Sequence, residues 1–155
     1  MRRAEREIKD PAGIEAVMAK GQIMRVAFYD AGEIYIVPVN YGYVQKDGAY
    51  TLYFHGACAG RKYEISRSGP KVGFELEADY HLMTGEIACK YSAGYQSIVG
   101  TGRLCLAEDP EEKKLGLNAV MRQTTGKDAW EYDDAMLRSV AVFRLDVEQL
   151  SCKAH

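Results

Sequence analysis

The tripeptide Lys46-Asp47-Gly48 stands between two stretches of strand composition, and this hairpin signal narrows the possible folds most. Asp-Gly suits a two-residue turn whose central positions both take positive φ, so the flanking strands pair antiparallel. The strand before it covers 34–44 and is rich in Ile, Val and Tyr; the one after it covers 49–55. The first of these contains Pro38. Proline offers no N–H to a ladder, so this strand is expected to be interrupted, bulged or at an edge there.

Around the hairpin the pattern alternates between strands and short helices. Asp10-Pro11 gives an N-cap followed by proline at the first helical position, which predicts a helix over 11–20 stopped by Gly21. A strand over 22–30 ends in Asp30-Ala31-Gly32, and Gly60 to Ser68 holds one or two helical turns. Alternation of Val72, Phe74, Leu76 and Ala78 with polar residues predicts a strand over 71–79, and a long one follows over 95–107. Asp109-Pro110 opens a second helix over 110–123, with Leu115, Leu117, Val120 and Met121 available to face the sheet. A loop over 124–132, a short helix at 133–137 and a closing strand over 140–147 complete the pattern. Six strands with hairpin-length connections predict a mainly β fold: an antiparallel barrel, closed or partly closed, with short flanking helices.

At 155 residues the chain is expected to form one domain over 1–155, large enough for a core without staples. Twenty Lys and Arg stand against 22 Asp and Glu, a net charge of −2 that would not gather nucleic acid. Any anion must be held by a local site. Cys58, Cys89, Cys105 and Cys152 show neither zinc nor disulfide-framework spacing, which fits a reducing, cytoplasmic setting. The charged start, Met1-Arg2-Arg3-Ala4-Glu5-Arg6-Glu7, lacks the features of a secretory signal, and no run is long enough to cross a bilayer.

The segment from His55 to Lys62 carries the chemistry. It leaves a strand, passes through Gly56, Ala57, Ala59 and Gly60, and presents Arg61 and Lys62 where a helix is expected to start. Small residues let backbone approach an anion and adjacent cations neutralise it, which is a phosphate-binding design. The same residues also suit a glycine turn with two solvated cations. His55 can pass protons near neutral pH, or serve as a neutral hydrogen-bonding group. Trp130, the single tryptophan, can stack on a planar ligand or pin its loop to the barrel. His81 and His155 are expected to face solvent without a partner, and Cys89 is left without a role.

The order of these elements resembles the pyridoxamine-phosphate-oxidase-like flavin-binding split barrels, in particular their 5-nitroimidazole-resistance (Nim-like) branch. The likeness rests on Arg2-Arg3, Arg25-Val26-Ala27, 37–43, Leu52-Tyr53-Phe54-His55-Gly56-Ala57, Gly60-Arg61-Lys62, 72–75, Ala88-Cys89 and 95–102. It implies a homodimer with FMN in a groove between subunits. Arg25, Val26 and Ala27 would line the flavin ring, with Val37, Pro38 and Asn40 bordering it. His55, Gly56, Ala57, Gly60, Arg61 and Lys62 would surround the phosphate, Gln96 and Ser97 would lie near the interface, and Trp130 could cover the ring. Function by resemblance is reduction of a small electron acceptor such as a nitroaromatic. The alternative is a non-catalytic binder of flavin or of heme, with His55 as axial ligand. The substrate-phosphate arginines of a pyridoxamine phosphate oxidase have no match, so vitamin B6 oxidation is not expected.

Overall fold

A computed structural model of the chain describes residues 3–155; Arg2, quoted above for the resemblance, lies outside them. The Asp-Gly turn forms as its residues dictate, with φ of 52° at Asp47 and 82° at Gly48. It joins β4 (Gly42–Lys46) to β5 (Ala49–Gly56) in antiparallel register. The Ala31-Gly32 pair, also at positive φ, joins β2 (Met24–Asp30) to β3 (Glu33–Val39) in the same way. The remaining strands are β1 (Glu7–Ile8), β6 (Lys71–Met83), β7 (Ser92–Ala107) and β8 (Ala141–Ala154).

The eight strands of the described residues form one antiparallel sheet in the order β3-β2-β6-β7-β8-β5-β4, with β1 pairing β8. The two end strands, β3 and β4, are consecutive in the chain and separated only by Asn40-Tyr41. A two-residue link between opposite ends of the order requires the sheet to curl back on itself, and this makes it a barrel. The expected 34–44 strand is therefore two strands that part at the split, and Pro38 sits on an edge strand where its missing N–H is tolerated. That division, together with β1, turns the six expected strands into eight.

Helix α1 (Pro11–Lys20) is capped by Asp10, whose carboxylate accepts from the Gly13 N–H at 2.7 Å. It buries Val17 and Met18 with the barrel core of Met24, Val26, Phe28, Leu52, Phe54, Leu76, Ile98 and Phe143. The buried Tyr41 hydroxyl donates to the Met18 carbonyl at 2.7 Å and ties the split to α1. Helix α3 (Pro110–Thr125) lies outside the barrel, buries Gly116, Ala119 and Val120, and leaves Leu115 exposed, contrary to its expected place on the sheet. Two short helices, α2 (Arg61–Ser66) and α4 (Asp134–Ser139), follow β5 and precede β8.

Candidate functional site

Alternation along β2 sets what the Arg25-Val26-Ala27 run can offer. Val26 is fully buried in the core, so Arg25 and Ala27 point to the outer face. Val26 can border an external ligand only through its backbone, and so can Val37, its partner in register, which packs against the core. Pro38 stands opposite Arg25 on the outer face, and Ile36 stands opposite Ala27. On the other side of β2, Ala27 pairs with Gly73, and Gly73 with Thr101. A Cβ on Gly73 would lie 3.8 Å from that of Ala27, so the pair forms a flat floor of small groups. Beside it the Thr101 hydroxyl is buried and has no hydrogen-bond partner among the described residues. A buried hydroxyl of this kind is costly unless something satisfies it.

Arg25 is held in place by two carboxylates of β6: Nη1 donates to Glu75 at 3.0 Å and Nη2 to Glu77 at 3.2 Å. Their hydrogen bonds and charge, Glu75 foremost, raise its pKa and fix its cationic form.

The turn after β5 presents a different balance. Arg61 is committed elsewhere: Nε donates to Asp30 at 2.9 Å, Nη2 to Glu33 at 3.1 Å, and the guanidinium lies 4.8 Å from the Tyr35 ring centroid. Lys62 forms no ion pair and donates no hydrogen bond among the described residues. Its ammonium lies over the stacked Phe54 and Phe143 rings, 5.4 and 4.9 Å from their centroids. Desolvation there lowers its pKa. A Cβ on Gly56 would come within 2.8 Å of that ammonium, so glycine keeps the approach to it open. Gly60, at φ 98°, caps α2 without a side chain. His55 extends from the exposed end of β5 and makes no hydrogen bond among the described residues. Partial desolvation, and secondly the charge of Lys62, lower its pKa below the ordinary value, so it is neutral at pH 7.

The structure does not bring all expected residues together. Asn40 donates to the Gln22 carbonyl at 3.3 Å and braces the split. Gln96 meets the Lys20 ammonium, which also pairs with Asp79, and Ser97 is nearly buried in register with Glu77. Trp130 is 40% exposed; its main-chain N–H donates to Asn118 of α3 and its indole N–H to the Lys127 carbonyl. His81 and His155 are exposed, but each has a partner that the sequence did not disclose, the carbonyls of Asp79 and Ala93. Gly73 and Thr101 fall within the ranges 72–75 and 95–102 that carry the resemblance, and it is the strand register that puts them on the face of Ala27.

Residues 10–154 match the model of the family described as pyridoxamine 5'-phosphate oxidase. The chain belongs to that family. A proposed 5-nitroimidazole antibiotic resistance protein from Bacteroides thetaiotaomicron shares 31% identity, over 96% of this chain and 86% of that one, with a TM-score of 0.80. The flavocytochrome Anf3 from Azotobacter vinelandii is 18% identical over 100% of this chain and 72% of its own, at a TM-score of 0.78. An FAD-binding protein from Mesorhizobium loti is 23% identical over 95% and 96% of the two chains, at 0.64. These last two are likenesses of fold. No curated protein matches the chain.

Proposed function

We propose that this family member binds FMN between the subunits of a homodimer and uses it to reduce a small electron acceptor such as a nitroaromatic. The observation that carries the reading is Lys62, a partly desolvated cation without a carboxylate, beside a glycine-lined turn. A phosphate there would restore the interaction that burial takes from the ammonium. The flat Ala27-Gly73 floor and the unsatisfied Thr101 hydroxyl suit a planar ring with polar edges. Resemblance to the nitroimidazole-resistance protein supports the acceptor class.

In this reading bound flavin supplies the electron transfer, and the chain's own groups orient and polarise. Lys62 neutralises the phosphate, while Arg25, immobilised by Glu75 and Glu77, holds a fixed positive edge beside the ring. His55, neutral at pH 7, can accept a proton through an imidazole nitrogen or take a hydrogen bond. Arg61 has a lesser part, since Asp30 and Glu33 already compensate its charge.

The absorption spectrum of freshly purified protein tests the reading, with flavin bands expected. Reduction followed by reoxidation with a nitroaromatic separates an enzyme from a binder. Lys62→Ala is expected to weaken flavin retention by about 2 kcal/mol, or ~30-fold in Kd, as for loss of a charge-assisted hydrogen bond. Arg61→Ala should cost less. A protein that carries no flavin and takes none up on reconstitution would overturn the proposal.

A further inference from the structure

Where the N-terminal segment meets the end of β8, a second set of cations converges. Arg3, Arg6, Ser92, Ala93, Tyr95, Lys153 and His155 line a cavity of about 450 Å³. Among the described residues no acidic side chain lines it. Arg3, Arg6 and Lys153 form no ion pair among the described residues, and all three line this one cavity. The nearest acidic residue in register, Glu7 opposite Lys153, is paired instead with Lys9 at 3.2 Å. Three cationic side chains therefore share one cavity with no carboxylate partner among the described residues. A full negative charge on the main-chain oxygens of His155 would still leave a surplus of two.

The cluster is built on ordered backbone. Tyr95 and His155 exchange both main-chain hydrogen bonds, at 3.1 and 2.9 Å. The His155 ring bonds the Ala93 carbonyl at 2.7 Å. Lys153 lies 5.2 Å from the Tyr95 ring centroid, and β1 lies alongside it on β8. Lys153 foremost, and Arg6 less, lower the pKa of the Tyr95 hydroxyl. Repulsion among cations held this close is relieved when an anion of matching charge enters.

We propose that this cavity is an anion site for a small phosphorylated molecule, with Arg6, Lys153 and Arg3 as its charge partners and the Tyr95 hydroxyl as a donor. Two guanidinium groups can each present paired N–H donors to phosphate oxygens, and the ammonium adds a point charge. The site is separate from Lys62 and does not depend on flavin being bound. The Glu77-Ser97-Lys153 register row nevertheless links it to the strip that holds Arg25. A phosphorylated substrate anchored there would lie two strands from that strip, roughly 10 Å across the sheet.

Calorimetric titration of the purified full chain with pyrophosphate, inorganic phosphate and ADP at constant ionic strength tests the proposal, with flavin content measured in parallel. Pyrophosphate is expected to bind flavin-loaded wild type, in which the Lys62 site is filled, and Lys62→Ala alike. The Arg6→Gln/Lys153→Gln double variant should bind it at least tenfold more weakly at unchanged flavin content, and Lys153→Arg should retain it. ADP binding more tightly than pyrophosphate would mark a nucleotide ligand, and the reverse an inorganic one; either supports the site. No binding to wild type, binding that survives the double variant, or binding lost only in Lys62→Ala would overturn it. Because Lys62→Ala reports on flavin and the double variant on this cavity, the two proposals fail separately.

Discussion

At the scale of single residues, the site is a set of unequal charges. Sequence alone made Arg61 and Lys62 look equivalent, because the carboxylate partners of Arg61, Asp30 and Glu33, are 31 and 28 positions away and enter only through the β2–β3 turn. The pairing leaves Lys62 as the uncompensated cation, and His55 feels it. With its pKa lowered by desolvation and then by Lys62, folded His55 resists protonation more than an unfolded histidine does. Between the folded pKa and about 6.5 the unfolded chain binds more protons, so this group makes stability fall as pH drops through that window. An NMR titration is expected to place the His55 imidazole below 6.5. Lys62→Ala should move it part of the way back, and so should a phosphate at Lys62. A value at or above 6.5 in the ligand-free protein would contradict the electrostatics described.

At the scale of elements, legibility followed local chemistry. The Asp-Gly turn and the two Asp-Pro helix starts are decided within a few residues, and all three appear where expected. What the sequence hid depends on distant partners. β8 runs on to Ala154, although the polar pair Glu148-Gln149 breaks the alternation, because β7 flanks it on both sides of a register shift there and β1 joins at its end. β6 continues past Asp79 only by a register shift, with Asp79 itself at φ 56°. The break at Asn40-Tyr41 likewise reflects barrel curvature and the Tyr41 bond to α1, not the composition of the strand. Gly42, just beyond that break, lets α3 approach: a Cβ would fall 2.1 Å from the Ala119 carbonyl atoms. Gly42→Ala is expected to push α3 off β4 and destabilise the fold by about 1–3 kcal/mol, the usual range for overpacking. Urea unfolding checks this, and an unchanged midpoint would mean that α3 is not seated as described.

At the scale of the molecule, the barrel carries an apolar arm that one copy does not cover. The distal parts of β6 and β7 form a two-stranded ribbon, with Leu82 opposite Ala93 and Met83 opposite Ser92. Tyr80 is 69% exposed, Leu82 58%, Ile87 55% and Tyr91 49%. Met83, 43% exposed, points to the face opposite Leu82, so the exposure involves both faces of the ribbon. Two strands alone are marginal in water, and clustered exposed apolar groups mark an interaction surface. Ile36 and Val99, 58% and 51% exposed, extend apolar surface along the outer face of the barrel. A second copy of the chain suits this surface, since a two-fold pairing would cover arm and strip together, and the proposed FMN groove lies on that same strip. Leu82→Asp places a charge on the arm, remote in sequence from Lys62, Arg25 and the cations around Lys153. Light scattering on a sizing column should find wild type at twice the chain mass and Leu82→Asp shifted toward a single chain. Flavin retention should fall with it if both subunits shape the groove. A wild type that runs as a monomer would sink the dimer, and a monomeric variant that keeps its flavin would place the cofactor within one subunit.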